Sequence, residues 1–286
     1  MKITILGSGG QIGAYLTKYL REKGHTVIEF DAVNNPQEDM TLIPNILLEE
    51  RIADSDFVFF LAFDVGGSRY LKKYQHTFQF INNNTRLMAN AFGILEKYNK
   101  RFVFASSQMS NMTYSPYGVL KNVGELYTKA LKGLTVKFWN VYGVEQDLEK
   151  SHVITDFIRR GFEEGEFEML TDGTEERQFL YAEDCCEALE TIMNCYTDFK
   201  PEDPLHITSF RNESIKEVAA IIQGQFNLIG KYNVKIKPGL AKDSVQMDKR
   251  NEADNYITGW WMPKTNLQDG ITKVFSDMKK HYEKAL

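Results

Sequence analysis

Seven residues, Gly7-Ser8-Gly9-Gly10-Gln11-Ile12-Gly13, join a short apolar β-type run, Lys2–Leu6, to a segment reading as an amphipathic helix over Ile12–Lys23. Ile12, Leu16, Tyr19 and Leu20 fall at spacings that share one helix face. Glycines at such a junction allow a tight turn, a close backbone approach to a pyrophosphate and contact between helix and strand. The helix N-terminus then offers free N–H groups and a partial positive charge to phosphate. A glycine cluster alone often marks only a loop, but here the second strand, Thr26–Phe30, closes on Asp31. That carboxylate suits the two hydroxyls of an adenosine ribose and repels a 2′-phosphate, which favours NAD over NADP.

The rhythm that follows predicts an α/β fold with a doubly wound parallel sheet (Rossmann). Phe57–Ala62 is apolar throughout, as expected of a central strand buried on both faces. Phe102–Ala105 and Thr135–Trp139 read as further strands, with helical patterns over Thr85–Lys97 and Gly118–Leu131. A dinucleotide-binding domain is expected over 1–145. A smaller C-terminal α/β lobe, expected to bind substrate, takes in most of 146–286, with some segments returning to the first core. In that lobe Val153–Glu163 reads as helical and Glu166–Leu170 as extended. Ser214 and Glu217 form a capping box for a helix over Ile215–Gln223, and Leu267–Tyr282 reads as the last helix.

Charge and composition narrow the function. The 286 residues carry 34 basic and 39 acidic side chains, a net charge of −5. No global positive field would draw in nucleic acid or an anionic membrane. No apolar run approaches the roughly 18 residues needed to span a bilayer. The start, MKITILGSGG, lacks the charged and apolar regions of a signal peptide, so a cytoplasmic protein is expected. Cys185, Cys186 and Cys195 and five scattered histidines make no disulfide framework and no metal-ligand spacing, so no metal is expected.

Tyr117-Gly-Val-Leu-Lys121 sets a phenol and an ammonium one helical turn apart. A tyrosine titrates near 10, and a neighbouring ammonium together with the positive nicotinamide ring is expected to lower that value. Tyr19/Lys23 and Tyr196/Lys200 share the spacing and read as ordinary helix faces or ends. Only Tyr117 follows a strand ending in Ser106-Ser107, where a cofactor would lie.

Taken together, GSGGQIG, the FVFASS strand and the YGVLK helix resemble the extended short-chain dehydrogenases/reductases, in their NAD-dependent epimerase/dehydratase branch. Phe138-Trp-Asn140-Val-Tyr-Gly143, Thr171-Asp-Gly173 through Arg177-Gln-Phe-Leu-Tyr181, and Ile257-Thr-Gly-Trp260 with Pro263 resemble three further segments of that branch. The resemblance implies that Tyr117, Lys121 and Ser107 are catalytic, with Ser106 as the neighbour that could take the serine's place. It implies that Gly7, Gly10, Gln11, Ile12, Gly13, Asp31, Asp39, Met40, Leu61, Ala62 and Phe63 bind NAD with Tyr117 and Lys121. It further implies that Ser107, Asn140 and Arg177 hold a nucleotide-diphosphate sugar, and it offers Lys237 or Arg250 for a second basic position. A homodimer through the helix of Tyr117 and the helix near Thr85–Lys97 is expected on the same ground.

Position 108–109 separates the chemistries of the branch. Glucose-type 4,6-dehydratases carry an Asp-Glu pair there, the glucuronate decarboxylases a nearby glutamate, and fucose-synthase-type 3,5-epimerases a cysteine. This chain has Gln108-Met109. What remains is hydride transfer at one hydroxyl-bearing carbon, usually C4, and the NAD preference of Asp31 tilts the expectation to a nucleotide-sugar epimerase working by transient oxidation there. The alternative is an NAD(P)-dependent dehydrogenase or 4-keto-reductase, and the more remote alternative a non-catalytic NAD-binding regulator. The loop Asp64–Arg69 reads as flexible or closely approached, with Arg69 available to an acid or phosphate. Asn82-Asn83-Asn84 reads as preceding a helix.

Overall fold

The structure is a computed structural model describing residues 1–230, 232–241 and 255–284. The chain opens with β1 (Lys2–Leu6), α1 (Gln11–Glu22) and β2 (Thr26–Phe30), followed by α2 (Ile46–Ala53), β3 (Phe57–Phe60), α3 (Ser68–Tyr74) and α4 (Phe78–Lys97). Next come β4 (Phe102–Ser107), α5 (Pro116–Ala130), β5 (Leu134–Phe138), β6 (Asn140–Tyr142), α6 (Val153–Glu163), β7 (Glu166–Glu168), β8 (Glu176–Arg177) and β9 (Phe179–Tyr181). The remaining elements are α7 (Ala182–Asn194), β10 (Leu205–Ile207), β11 (Glu213–Ser214), α8 (Ile215–Ile229), β12 (Lys235–Lys237) and α9 (Leu267–Lys284).

Six strands form one sheet in the order β10-β5-β4-β3-β1-β2, every pair parallel. The direction of winding reverses between β1 and β3, which opens a crevice at the carboxyl ends of those two strands. Alternation along the strands separates two cores. Ile3, Ile5, Val103 and Val136 pack with Leu16 and Leu20 of α1 and Leu189 and Ile192 of α7 on one face. Val58, Phe60, Phe102 and Phe104 pack with Phe92 of α4 and Leu120 of α5 on the other. The four phenylalanine and valine side chains of β3 are at most 1% exposed, and each contributes on the order of 1.5–3 kcal/mol by leaving water. This is the doubly wound α/β fold expected from the glycine turn and the strand rhythm.

The second lobe is a separate core of α6, α8, α9 and the small β7–β12 pair, built on Phe157, Phe167, Ile222, Phe226, Ile271 and Phe275. Residues beyond 145 also return to the first core: α7 lies beside α1, and β10 adds the sixth strand. The capping box at α8 is present, with the Ser214 hydroxyl accepting from the Glu217 N–H and the Glu217 carboxylate accepting from the Ser214 N–H. α4 begins seven residues earlier than its sequence pattern, at a Thr77 cap. Asn82, Asn83 and Asn84 therefore lie inside this helix rather than before it. No described helix is long and apolar enough to cross a membrane.

Candidate active site

The crevice between β1 and β3 widens into a cavity of about 660 Å³. Its floor is the glycine turn. Gly7 has φ +90°, and a Cβ there would lie 2.6 Å from the Ala62 nitrogen, while one on Gly13 would lie 2.0 Å from the Gly7 carbonyl oxygen. Both positions accept only glycine, and together they bring bare backbone and the first turn of α1 to the cavity wall. Gly10, Gln11 and Ile12 line the same wall, and Leu61, Ala62 and Phe63 line it from the end of β3. A dinucleotide's pyrophosphate and ribose fit this cradle, because Gly7, Gly9 and Gly10 present bare backbone to the cavity and the Ser8 side chain is buried away from it.

At the far end Asp31 accepts from the Gly9 and Val33 N–H groups, each at 2.9 Å, so its carboxylate also ties down the turn. A second carboxylate stands beside it. Glu38 accepts from the Asp31 N–H at 2.9 Å and lines the same cavity, doubling the negative charge where a 2′-phosphate would sit. No periodicity singles out Glu38, because the short turn Pro36–Glu38 after β2 brings it back. Met40 lines this end, and Asp39, also on the wall, accepts from the Thr41 N–H at 2.8 Å.

Across the cavity, β4 ends at Ser107 and α5 starts at a Ser115 cap with Pro116 in its first turn. This places Tyr117 and Lys121 on the cavity side of α5, 8% and 3% exposed. The Ser107 hydroxyl is within hydrogen-bonding reach of the Tyr117 phenol and accepts from the Met109 N–H at 3.1 Å. Ser106 points elsewhere and donates to Glu125. Of the two serines, only Ser107 faces the phenol.

The Lys121 ammonium donates to the Ala105 carbonyl at 2.6 Å and lies 3.8 Å from the Phe63 ring centroid. Burial lowers its pKa to about 7, with Glu125 opposing the shift. Burial raises Tyr117 to about 12, against a smaller lowering by Ser107. The phenol is thus not depressed by its lysine neighbour in this state. The expected lowering requires the ammonium to be turned to the phenol, and here a carbonyl and a ring hold it.

A smaller cavity of about 110 Å³ adjoins the first, and Asn140 and Val141 of β6 line both. Arg177 reaches it from β8, where its guanidinium donates to the Glu176 carbonyl at 2.7 Å. Arg69 and Lys72 of α3 and the N-terminus of α6, which has no side-chain cap, face it as well. Asn140 brings a buried amide oxygen with no hydrogen-bond partner among the described residues. Lys237 does not reach this place: it lies exposed on β12, paired with Glu166. Arg250 falls outside the described residues.

The loop after β3 is closely approached rather than free. A Cβ on Gly67 would lie 2.4 Å from the Ser151 carbonyl oxygen, and the Gly67 N–H donates to the Lys150 carbonyl at 2.8 Å. Arg69 is turned to Asp156 at 3.6 Å and to the Glu168 carbonyl at 3.0 Å. Asp64 accepts from Tyr70 at 2.6 Å, Lys150 at 3.1 Å and Asn83 at 3.2 Å, and its own N–H donates to Asn84. Burial pushes its carboxyl pKa up, but those partners outweigh it and hold the value low. Nearby, the His152 ring meets the Glu145 carboxylate at 2.7 Å. Among the described residues no group of three or more His, Cys, Asp or Glu could hold a metal.

The profile of the NAD dependent epimerase/dehydratase family matches residues 3–207. The GDP-mannose 3,5-epimerase 1 of Oryza sativa subsp. indica is 26% identical over 333 residues, covering 99% of this chain and 83% of that protein. The UDP-glucuronic acid decarboxylase 1 of Arabidopsis thaliana is 21% identical, covering 98% and 70%. Among solved structures, a UDP-glucose 4-epimerase of Thermotoga maritima superposes with a TM-score of 0.78 at 19% identity, covering 98% of this chain and 99% of that one.

Proposed function

We propose that this chain, which belongs to the NAD dependent epimerase/dehydratase family and is an NAD-dependent enzyme of it, is a nucleotide-sugar epimerase that acts by transient oxidation at sugar C4. The observation that carries this reading is the constellation of Tyr117, Ser107 and Lys121 in a cavity floored by Gly7 and Gly13. Bound NAD supplies the capacity to accept a hydride and return it. Tyr117 takes the proton of the O4 hydroxyl as general base and later gives it back. Ser107 holds that hydroxyl in line, and Lys121 binds the nicotinamide ribose. Carrying the ammonium from the Ala105 carbonyl to the ribose would bring its charge to bear on the phenol and lower it from about 12.

The smaller cavity suits the diphosphate. Arg177, Lys72 and the uncapped start of α6 converge there, and a guanidinium fork matches paired phosphate oxygens. Asn140 stands where the two cavities meet, with an amide oxygen free to accept from the substrate. Several relatives bear names of other reactions, among them 3,5-epimerisation and decarboxylation. In this chain Gln108 and Met109 are buried, and a thioether carries no proton to give. That leaves hydride chemistry at one carbon as the reading the side chains support. Two copies pair through α4 and α5, which leave Phe78, Ile81, Val119 and Leu126 exposed.

The test is incubation of the purified protein with a panel of nucleotide sugars deuterated at C4, read by NMR. A C4 epimer that keeps its label supports the reading. Label passing to free NADH indicates a dehydrogenase or reductase, and solvent deuterium entering at C3 or C5 indicates a 3,5-epimerase. Either of these last outcomes would overturn it.

A further inference from the structure

One turn beyond Lys121, outside the cavity lining, α5 carries Glu125, whose carboxylate is buried against the sheet. It accepts from the Ser106 hydroxyl of β4, and it lies 3.2 Å from the ammonium of Lys137 on β5, the two side chains 12% and 8% exposed. A buried ion pair of this kind recovers little more than its own desolvation cost, so it adds little to stability over an apolar pair of the same size. Its position is informative instead. Glu125 and Lys121 stand four residues apart on the inward side of one helix, where side chains are neighbours.

Among the described residues, the surroundings of Lys121 otherwise offer no counter-charge. From α5 it meets Tyr117, from β3 and β4 the rings of Phe63's loop and Phe104 and the Ala105 carbonyl. The buried face of α4 brings Leu87, Met88, Ala91, Phe92 and Leu95, while its Arg86 and Lys97 are engaged with the Thr41 carbonyl and Glu49. From β5 comes Lys137, a second cation, held on the same carboxylate.

We propose that Glu125 is a positioning residue of the active site: it ties β4 and β5 to the helix carrying Tyr117 and Lys121, and sets a carboxylate one helical turn from the Lys121 ammonium. The proposal rests on Lys121 meeting the cofactor and is independent of which substrate carbon is oxidised. Burial alone would drive Lys121 toward the neutral amine, and Glu125 acts against it. Lys137 shares the carboxylate and so weakens its hold on Lys121. Removing Glu125 and removing Lys137 therefore act on Lys121 in opposite directions.

The experiment is NADH affinity by fluorescence titration across about pH 6 to about pH 9, for the native protein, Glu125→Gln and Lys137→Met. Native affinity should weaken as pH rises through the titration of Lys121. In Glu125→Gln that limb should move to lower pH, and in Lys137→Met to higher pH, each by ~0.5–1 unit, or about 3–10-fold in affinity at a fixed pH on the limb. A loss of packing would instead weaken binding evenly at every pH. Limbs that stay in place, limbs that move in the same direction, or no limb in the native protein would overturn the proposal. If Glu125→Gln fails to fold, Lys137→Met decides alone, with an unmoved or lowered limb as the overturning result. Opposite shifts in a protein that epimerises no sugar would defeat the C4 reading and leave this one standing.

Discussion

The ammonium of Lys121 lies 3.8 Å from the centre of the Phe63 ring, on the residue that ends the cofactor-facing run Leu61-Ala62-Phe63. A ring face and one carbonyl hold the charge, with no carboxylate in direct contact. Such a site favours the cation by about 1–2 kcal/mol, less than desolvation takes away, which is why the lysine sits near pKa 7. On the proposed reading, the base and its helper are thus stored in their less reactive states until ribose hydroxyls offer the ammonium a better partner.

Tyr117→Phe removes the proton acceptor and keeps the ring that packs edge-on to Phe63, 5.7 Å between centroids. Turnover should fall by about 10³-fold or more, while the NAD dissociation constant changes by less than about threefold. Calorimetric NAD titration alongside a coupled activity assay checks this; full activity in the variant would sink the assignment of Tyr117 as base.

Asp31→Asn should weaken NAD by roughly 10–100-fold through the lost charge-assisted bonds to the ribose. It should not by itself admit NADP, because Glu38 remains at the same place. The double variant with Glu38→Gln should bind NADP measurably better than either single variant. Dissociation constants for both cofactors in the three variants test it.

Gly13→Ala would drive a methyl to within 2.0 Å of the Gly7 carbonyl. Overpacking of this kind costs about 1–3 kcal/mol and pushes the turn out of its cradle. Thermal unfolding should come ~2–10 °C lower, and NAD should no longer raise it. An unaltered NAD-dependent shift would show that the turn tolerates the methyl.

The His152–Glu145 pair predicts a pH dependence on the substrate side. Burial lowers the His152 pKa, and the charge and hydrogen bond of Glu145 together more than reverse this, so the folded value is raised. The pair's contribution is then fully present below the unfolded value of about 6.5 and disappears as pH rises through the raised one. Native protein should lose stability over that window relative to Glu145→Gln, in which the dependence should flatten. Melting curves of both proteins across the range provide the comparison.

Leu126 on α5 and Phe78 on α4 are 62% and 80% exposed on helices that flank the reaction centre. Leu126→Glu with Phe78→Glu should convert a dimer to a monomer at micromolar concentration, as read by analytical ultracentrifugation. A native protein that sediments as a monomer would remove the expected pairing.

What could be read before the structure was known follows from how local each signal is. The glycine turn, β1, α1 and Asp31 span one stretch of chain, and Tyr117 and Lys121 share one helical turn just after a strand ending in Ser106-Ser107, so spacing and local context place them. The resemblance favours Ser107 over Ser106, but the physical reason, one hydroxyl turned to the phenol and the other to Glu125, lies in which side of β4 each faces. Glu38, Lys150 and His152 come to the cavity through loops, where no periodicity points. Lys237 is offered as a second basic position only by the resemblance, and pairing of β12 with β7 carries it to the exposed edge. Asn83 and Asn84 were visible as a polar run, yet their role in holding Asp64 depends on α4 starting at Thr77.

The backbone of Lys150 and Ser151 rests directly on Gly66 and Gly67, joined by one main-chain hydrogen bond. A boundary made of main chain keeps its place whatever side chains it bears. Between Glu145 and Lys150, which pair with His152 and Asp64, residues 146–149 can therefore exchange identities while the distances around Tyr117 stay as they are, and on the proposed reading such exchanges would alter which sugar is accepted. Substitution at either glycine has the opposite character, since it moves the whole boundary at once. The fold thus separates the part of the site free to diversify from the part that must be inherited intact.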